Sequence, residues 1–508
     1  AFDPATRRIH VRLMNTHNAV AGLEDYDSRR PDGANPNQLG IMVSVDNARS
    51  VMSINKVEHV RFENLIISNG TVPVRIAHSS NVTFDHVTLQ ASNYGLQSAN
   101  TPGSLPIKNN ESLTISNSVI DGGIPPWLFR SDVKDGGDPA NMRGGVLVML
   151  HPTDTNTTIQ QSEFRAGLDG FHVAGTNLIF ESNHVVDLLD DVFFMDKLGD
   201  CCDYRGLYTG HIRSNVIQKA YSAFSYRGKA AGTGGRDTDW LVYGNLIDLR
   251  DRVRTTRPFK PVPSHTPSGK PYAFSNGQLY VSNELIEGEP AAIGEFSGAF
   301  FHNTIAVLAG HPCSAAPGTV SCNAAAGFRT TINTLSPKRM NAAEALRQFN
   351  NVFVRFVSPD VADAVDVAAI AYMPRDPDHQ FASNGNLYFR FGKGTALFEA
   401  RPSNPSSPLR FSCVADGGQA QSWTNSDWYR AVNGQFESKG FLCIDPRFVD
   451  AWGRDYRLRP DSPIRGAAVP LPDPLAQHLV CTSGCSVGAY QGMGNEKLQV
   501  GVDRRLQF

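Results

Sequence analysis

The stretch GLDGFHVAGTNLIFESNHVVDLLDDVFFM, from Gly167 to Met195, nearly repeats itself. The turn LDGF at Leu168 returns as LDDV at Leu189, and the aspartates that follow these leucines are 21 residues apart. A short unit that returns at such an interval is typical of repeat proteins, in which each unit packs on its neighbours.

A related unit can be followed along much of the chain. It consists of an aromatic or aliphatic residue, two further residues, an Asn or a polar substitute, and two aliphatic residues. It occurs as FENLII at Phe62, FDHVTL at Phe84, ISNSVI at Ile115, FESNHVV at Phe180, HIRSNVI at His211, VYGNLI at Val242, VSNELI at Val281 and FHNTIA at Phe301. Short apolar runs of period two predict a solenoid of strands, because helical repeats would show a 3.6-residue period.

The variable spacing of these units favours a parallel β-helix. Each coil would have three short strands whose inward side chains stack on those of the next coil, while the corner loops vary in length. The recurring Asn residues are expected at a corner, where Asn tolerates a left-handed backbone and its amide can bond the next Asn along the axis. They are Asn64, Asn117, Asn183, Asn215, Asn245, Asn283 and Asn303.

The C-terminal sequences point to the same architecture. DPRFVDAWGRDYRLRPDSPIRGAA from Asp445 and VGAYQG from Val487 resemble the closing segment of many secreted bacterial right-handed parallel β-helix proteins, which include several polysaccharide lyases. The resemblance implies a fold rather than one activity. The predicted fold is therefore an all-β, right-handed parallel β-helix over residues 1–440, with a capping segment over residues 441–508 packed on it.

Two further features belong to this prediction. The stretches Ile124–Arg143, Leu198–Thr209 and Thr255–Tyr272 are expected to be loops that wall a binding groove. NAAEALRQF from Asn341 has the composition of a short helix with an Asn cap, and we expect it to pack across the solenoid.

Composition excludes several classes of function. The chain has 508 residues, of which 41% are hydrophobic and 19% charged, as in a folded protein. A formal net charge of −2 provides no global field to attract nucleic acid or an anionic membrane. No apolar run approaches the roughly 20 residues of a membrane-spanning helix. The expected partner is a polysaccharide, with no nucleic acid and no membrane span.

The 8 cysteines predict an oxidising compartment. Cys313 and Cys322, like Cys481 and Cys485, are close enough in sequence for local disulfides, and we find no CxxC pair or histidine spacing typical of zinc. We expect a secreted, periplasmic or cell-surface protein. No signal peptide opens the chain, so a mature form with its leader removed is expected.

The repeated acidic turn is the first candidate site. Successive coils of a β-helix are about 4.8 Å apart, so Asp169 and Asp190 should stack, with Asp191 beside them. Repulsion among three carboxylates favours a proton on one of them. A protonated and an ionised carboxyl group are what a glycosidase needs to protonate the leaving oxygen and to activate water or attack the sugar.

This stretch resembles the polygalacturonase-type glycoside hydrolases, whose β-helix has an NTDG turn and, one coil later, GDDC. The matching sequences are GLDG at Asp169 and LLDD at Asp190 and Asp191. The resemblance implies that Asp190 donates the proton and that the other two aspartates activate water in an inverting reaction. The family's GHG and RIK motifs correspond only to His211 in TGHIRS and to Arg227-Gly228-Lys229.

Two simpler interpretations of the same aspartates remain open. Asp-Gly and Asp-Asp are common turn residues, and a solenoid repeats its turns whether or not it is an enzyme. Adjacent carboxylates also suit calcium, which is a hard cation. Hydrolysis itself requires no cofactor, so calcium is the one cofactor to consider.

A rival hypothesis uses basic residues. If Val192 and Phe194 point inward, alternation places Asp191 and Lys197 on the outer face, and the neighbouring coils would add further groups. That face would carry His151, His172, Asp191, Lys197, Arg227 and Lys229, with Tyr226 and His211 as further substrate-binding candidates. Bases in such a groove could abstract the proton beside a uronate carboxylate and break the glycosidic bond by β-elimination.

This arrangement is similar to that of the β-helix alginate and chondroitin lyases, in which a Lys and an Arg on adjacent coils act as base and acid. The resemblance implies those roles for Lys197 and Arg227. A third class is a non-catalytic rod that binds glycans through its tryptophans, namely Trp127, Trp240, Trp423, Trp428 and Trp452. The sequence ranks hydrolysis through Asp169, Asp190 and Asp191 ahead of these alternatives.

Overall fold

The computed structural model consists almost entirely of strands and turns. It describes residues 2–3, 8–9, 50–91, 94–98, 109–124, 145–194, 208–225, 238–251, 284–287, 298–308, 330–332, 346–356, 366–370, 381–392, 395–400, 409–414, 438–442, 444–479, 481, 483–492 and 496–508. Three long parallel sheets in this part of the chain form a right-handed parallel β-helix, as predicted. Each full coil contributes one strand to each sheet, in the order sheet 1, sheet 2, sheet 3.

Sheet 1 contains 10 strands within the described residues. They are β4 (Glu58–Glu63), β7 (Ser80–Asp85), β10 (Glu111–Ser116), β13 (Thr158–Gln160), β16 (Leu178–Glu181), β19 (Tyr208–Arg213), β22 (Thr238–Tyr243), β25 (Gly298–Phe301), β28 (Leu346–Phe349) and β31 (Phe381–Asn384). All neighbouring pairs are parallel, for example β19 with β22.

Sheet 2 contains 11 described strands and sheet 3 contains 8. Those of sheet 2 are β5 (Ile66–Gly70), β8 (Thr88–Ala91), β11 (Val119–Asp121), β14 (Glu163–Gly167), β17 (His184–Leu188), β20 (Val216–Gln218), β23 (Leu246–Leu249), β26 (Thr304–Leu308), β29 (Val352–Phe356), β32 (Leu387–Phe391) and β35 (Phe441–Leu442). Those of sheet 3 are β3 (Ser50–Asn55), β6 (Val72–Ala77), β9 (Tyr94–Ser98), β12 (Val146–Met149), β15 (Asp169–His172), β18 (Asp191–Phe194), β21 (Ser222–Ser225) and β24 (Glu284–Glu287).

Smaller elements accompany the three sheets. They are the pair β1 (Phe2–Asp3) and β2 (Arg8–Ile9), the four-stranded sheet β27 (Thr330–Ile332), β30 (Asp366–Ile370), β33 (Thr395–Ala400) and β34 (Leu409–Val414), the pair β36 (Phe448–Asp450) and β37 (Asp455–Leu458), the pair β38 (Gln499–Val500) and β39 (Leu506–Gln507), and short 3₁₀ helices at Leu475–His478 and Val502–Arg504.

The interior of the β-helix is filled by side chains that stack coil on coil. Phe171, Phe193 and Phe224 occupy matching positions of β15, β18 and β21, with ring centroids 5.4 Å and 5.3 Å apart. All three are fully buried, and Phe180 meets Phe171 edge to face at 4.6 Å. Offset and edge contacts between aromatic rings add to the burial of apolar area, so this column anchors the middle coils.

Two classes of Asn occupy the corner between sheets 1 and 2. The left-handed position is Asn64 or Asn117 in the first coils and Ser182, Ser214 or Gly244 later. The residue after it points inward and forms a hydrogen-bonded ladder, whose members are Ser118, Ser162, Asn183, Asn215, Asn245, Asn303, Asn351 and Asn386. The predicted left-handed backbone is therefore confirmed at Asn64 and Asn117, and the predicted amide ladder at the later Asn residues, where the left-handed backbone belongs to the preceding residue. Asn283 lies outside the described residues.

The ladder satisfies buried polar groups in every coil. The Oδ1 of Asn245 accepts a hydrogen bond from the backbone N–H of Asn215 at 3.0 Å, and its Nδ2 donates to the backbone oxygen of Ile212 at 2.8 Å. The side chains of all six Asn members are fully buried. Buried amides of this kind are stable only when their donors and acceptors are paired, which the stacked coils provide.

Three predictions about local structure need correction. The end of the proposed helix from Asn341 forms strand β28 in sheet 1, because pairing with β25 and β31 outweighs the helix propensity of Ala, Leu and Glu. Tyr208 and Thr209 belong to β19, so the loop predicted to end at Thr209 is shorter. Trp240 is 1% exposed and cannot stack on a sugar.

Candidate functional site

The repeated acidic turn lies at the corner between sheets 2 and 3. In sheet 2, Gly167 pairs with Leu188, a step of 21 residues, whereas in sheet 3 Phe171 pairs with Phe193, a step of 22. One extra residue is therefore present at this corner of the later coil. The backbone N–H of Asp190 still donates to Leu168 at 2.8 Å, so the 21-residue step persists up to that point.

The extra residue forms a bulge opposite Asp169. The 21-residue step reaches Asp190, and the 22-residue step begins by Phe171 and Phe193. Asp190 and Asp191 together occupy the corner above Asp169. Gly170 allows the coils to approach here, since a Cβ at this position would lie 2.5 Å from the backbone oxygen of Val192.

The three carboxylates converge. One oxygen from each of Asp169, Asp190 and Asp191 can be chosen so that all lie within 4.8 Å of one another. Asp190 is 0% and Asp191 1% exposed, whereas the side chain of Asp169 is 13% exposed. Of the three, Asp169 is therefore the one that a molecule outside the β-helix can reach.

The next coil holds the buried part of this acidic cluster. The hydroxyl of Ser222 donates to Oδ1 of Asp191 at 2.5 Å, and the backbone N–H of Tyr221 donates to the backbone oxygen of Asp190 at 3.2 Å. Ser222 was not predicted. Aligning Phe224 with Phe193 would have placed Ser222 above Asp191, but the 31-residue step between them hides this match.

His172 and Phe194 border the accessible edge of the cluster. Nε2 of His172 lies 3.4 Å from Oδ2 of Asp169, and its ring stacks on Phe194 at a centroid distance of 4.8 Å. The other oxygen of Asp169, Oδ1, is buried and has no hydrogen-bond partner among the described residues. Asp169 thus has one oxygen beside His172 and one buried oxygen without a hydrogen-bond partner among the described residues.

The predicted orientation of β18 is wrong. Phe193, expected on the outer face, is 0% exposed and lies in the aromatic column, whereas Phe194, expected inside, is the half-buried partner of His172. Val192 is buried beside Phe193, so strict alternation fails at the corner where the extra residue enters. The prediction that His172 faces outward between buried Phe171 and Val173 is confirmed.

Two other predicted site residues are not brought to the cluster. His151 is 5% exposed, and its Nδ1 lies 2.9 Å from the hydroxyl of Thr153. Burial, and then the neighbouring His78, lowers the pKa of His151 to about 4, so it is neutral and does not form part of an exposed basic face. His211 is on sheet 1, beside Tyr243 and His478.

The remaining predicted residues lie outside the described residues. These are Lys197, Arg227, Lys229 and Tyr226. The predicted lyase pair Lys197 and Arg227 therefore stays a prediction. The Cys481–Cys485 disulfide is formed as expected, whereas Cys313 and Cys322 also lie outside the described part of the chain.

The acidic cluster has the chemistry of a hard-cation site. In the part of the chain that the structure describes, it is the one group of three or more His, Cys, Asp or Glu side chains near enough to share a metal ion. Its ligands would all be carboxylate oxygens, which calcium and magnesium prefer, and Oδ1 of Asp169 is available. These residues fit a calcium ion.

Comparisons with known proteins add no information on the fold or the site. No protein-family model, no curated protein and no solved structure matches this chain. Among the described residues, none of the helices is long and apolar enough to cross a membrane.

Proposed function

We propose that this protein is an enzyme that cleaves glycosidic bonds of a polysaccharide by acid/base hydrolysis at the acidic cluster. The observation that carries the proposal is the convergence of Asp169, Asp190 and Asp191 within 4.8 Å, with Asp169 at an accessible edge. An elongated parallel β-helix suits an extended chain, since its coils present successive side chains at intervals of about 4.8 Å.

The electrostatics of the cluster support acid/base chemistry. Carboxylates this close repel one another, and repulsion of this kind favours a shared proton. A cluster with both protonated and ionised carboxyl groups can protonate a glycosidic oxygen and assist attack on the sugar. Because Asp190 and Asp191 are buried, Asp169 is the group that would contact the substrate, and they would supply charge and protons through it.

The neighbours of Asp169 support binding of a sugar ring. The stacked rings of His172 and Phe194 form an apolar and partly polar surface beside the carboxylate. Aromatic faces pack well against the C–H groups of sugars, while a histidine can exchange hydrogen bonds with hydroxyl groups. His172 would thereby position both the sugar and Oδ2 of Asp169.

The direct test is a survey of neutral and acidic polysaccharides for release of reducing ends, followed by substitution of Asp169. Asp169→Asn should lower kcat by about 10²–10⁴-fold, because the amide cannot donate or accept the proton. Asp187→Asn is the matched control, since Asp187 lies on β17 in the coil of Asp190 and Asp191 but its carboxylate pairs with Lys219 at 3.0 Å. Equal activity of both variants would exclude the acidic cluster as the active site.

The same survey tests the other classes. An unsaturated product, detected by absorbance at about 235 nm, would indicate β-elimination. Lys197 and Arg227 would then be the candidate base and acid. Tight binding without cleavage of any glycan would indicate a passive rod, with Trp452, which is 51% exposed, as one sugar-stacking candidate.

Calcium binding at the same cluster is a second candidate function. The buried Oδ1 of Asp169, which has no hydrogen-bond partner among the described residues, favours it, because a cation would satisfy this oxygen. Calcium at 100 times its Kd would stabilise the folded protein by about 2.7 kcal/mol. A rise in Tm with calcium that Asp190→Asn removes would support this site, and glycan cleavage that survives a chelator would show that hydrolysis does not depend on it.

A further inference from the structure

The C-terminal residues 464–491, here called the clamp segment, pack against the outer faces of sheets 1 and 2. Leu471 and Leu475 contact the apolar surface formed by Tyr243, Phe301 and Phe349 on sheet 1. Val487, Ala489 and Tyr490 pack with residues of sheet 2 such as Val352. The clamp segment therefore spans several coils far from it in sequence.

One polar junction joins the clamp segment to the β-helix, and His302 is at its centre. This histidine follows β25, is 0% exposed and has a left-handed backbone. Its Nδ1 lies 3.0 Å from the backbone oxygen of Ser486, and its Nε2 lies 3.2 Å from Nδ2 of Asn350. Ser486 belongs to the clamp segment and Asn350 to the β-helix.

Asn350 also forms hydrogen bonds with the clamp segment. Its Oδ1 accepts a hydrogen bond from the backbone N–H of Val469, and its Nδ2 donates to the backbone oxygen of the same residue, both at 2.8 Å. These two bonds fix the orientation of the amide, so Nδ2 faces His302 as a donor. Two further backbone bonds, from Gly488 to the oxygen of Asn350 and from Ala489 to the hydroxyl of Thr304, complete the junction.

This geometry fits only a neutral imidazole. Nδ1–H donates to Ser486, and the lone pair of Nε2 accepts from Asn350. A proton on Nε2 would point at the N–H group of Asn350, and two donors would face each other in a buried site. Rotating the amide of Asn350 would satisfy His302 but would place N–H against the N–H of Val469, so either arrangement leaves buried groups unpaired.

We propose that His302 is a proton-operated lock, which holds the clamp segment on the β-helix while neutral and releases it when protonated in acid. Release would separate Ser486 and Val469 from the β-helix and expose the apolar surface around Phe301. This inference does not depend on the proposed hydrolase activity.

The surroundings of His302 compensate a positive charge only weakly, through backbone groups. Its polar neighbours are the backbone of Ser486 and Gly488 and the amide of Asn350, and none of these is a carboxylate. Burial lowers the pKa of His302 to about 4, against a smaller opposing effect of those backbone groups. The lock is therefore closed at neutral pH and opens as the pH falls toward 4.

Protonation of a pair of histidines would weaken the same attachment of the clamp segment. His478 of the clamp segment and His211 of sheet 1 have ring centroids 5.0 Å apart. Burial, and then the charge of Arg213, lowers the pKa of His478, and burial with His478 and Arg213 lowers that of His211. Glu181 and Asp239 face the pair and oppose this, but Glu181 is already bound to Arg213 at 2.6 Å. Protonation of both rings would add repulsion in the middle of the clamp segment.

The lock can be tested by amide hydrogen exchange of the intact protein from pH 7 to pH 4.5, corrected for the intrinsic rates. Peptides from residues 464–491 should lose protection by at least about 10-fold as the pH falls, while those of the inner strands β19 and β20 keep it. His302→Gln should remove most of this change and leave only the part due to His211 and His478, because glutamine can donate to Ser486 and accept from Asn350 but does not titrate. His59→Gln is the control, since His59 is exposed and has a similar left-handed backbone, with φ 54°.

Two results would overturn the proposal. One is unchanged protection of residues 464–491 between pH 7 and pH 4.5, and the other is an equal loss of protection in wild type and His302→Gln. If His302→Gln does not fold, exchange of the imidazole C–H of each histidine, measured by mass spectrometry on the wild-type protein, replaces it. Titration of His302 near pH 6.5, or without coincident exposure of the clamp segment, would then reject the lock.

Discussion

At the scale of single residues, the buried Asn ladder shows how one side chain can serve two coils. Asn303 accepts a hydrogen bond from the backbone of Asn245 through Oδ1 at 3.1 Å, and its Nδ2 donates to Asn351 at 2.9 Å and to the backbone of Val242 at 2.8 Å. A shorter side chain would leave several of these groups unpaired. The ladder therefore explains why Asn recurs in the sequence where Ser or Gly would suit a turn equally well.

Removing one amide from the ladder should be costly. Asn245→Ala would leave the N–H of Asn215 and the backbone oxygen of Ile212 without their partners, and we expect the free energy of unfolding to fall by about 3 kcal/mol. Gln218→Ala removes a half-buried amide that, among the described residues, bonds the ring of His184 alone, and should cost under about 0.5 kcal/mol. Urea unfolding of both variants measures the difference; similar losses would show that the ladder does not stabilise the coils.

The sequence predicted the convergence of three carboxylates but not their detailed geometry. The spacing of Asp169 and Asp190 placed them together with Asp191, because stacked coils bring repeated turns side by side. It could not show the extra residue at this corner, nor the burial of Asp190. Those properties depend on how the corner packs, which a 21-residue period does not encode.

At the scale of elements, a buried ion pair attaches the β36–β37 hairpin to the β-helix. Asp248 lies within β23, on the face that the hairpin covers, and is 0% exposed; Arg250 binds both of its oxygens at 3.0 Å. The hydroxyl of Tyr456 on β37 donates to Asp248 at 2.8 Å, and Arg250 also donates to the backbone of Ala451 at 2.9 Å. Burial, and then the charge of Asp248, raises the pKa of Tyr456 well above its usual value, so it remains a donor.

Breaking this pair from one side should destabilise the attachment of the hairpin. Asp248→Asn leaves the guanidinium of Arg250 buried without a counter-charge, and we expect a loss of about 3–5 kcal/mol in the free energy of unfolding. Asp455→Asn, which removes a partly exposed pair with Arg457, should cost about 0–1 kcal/mol. Denaturant unfolding followed by limited proteolysis of residues 444–479 tests this; a loss below about 1 kcal/mol for Asp248→Asn would contradict it.

Strands were predictable from the sequence where their alternation of apolar and polar residues matches the burial of those side chains in the fold. The coil units at Phe180, His211 and Val242 all form the expected strands, because their alternation directly records which side chains face the interior. The helix predicted from Asn341 was wrong. Ala, Leu and Glu favour a helix in isolation, but Leu346–Phe349 lie between two strands of sheet 1 and pair with both. Pairing partners that are 48 and 35 residues away cannot be read from local composition.

At the scale of the whole molecule, the architecture was predictable because it is repetitive. Each coil of a β-helix must reproduce the pattern of its neighbours, so the same preference is recorded many times along the chain. A functional site occurs once and has no such redundancy. This difference explains why the three-sheet fold follows from the sequence, whereas the choice between hydrolysis, elimination and cation binding requires experiment.

The histidines as a group should make the stability of the folded protein depend on pH. Burial lowers the pKa of His151 and of His302 to about 4 and also lowers the pKa of His184, His211 and His478, with like charges adding to the effect at His211 and His478. In the unfolded chain these groups titrate near 6.5, so between pH 6.5 and about 4 the unfolded state binds more protons. The free energy of unfolding must therefore fall as the pH decreases through this window.

The size and sign of this effect can be measured. A shift from 6.5 to about 4 corresponds to about 3 kcal/mol for a fully buried group such as His302. His86 opposes the trend, because hydrogen bonds to Asp85 and Asp503 raise its pKa, but it is exposed and its contribution is small. Urea unfolding at pH 7, 6, 5 and 4.5 should show a steady loss of stability that is smaller in His302→Gln. Constant or rising stability over this range would mean that the histidines are already protonated in the folded protein, and the packing around His302 would then have to accommodate a charge.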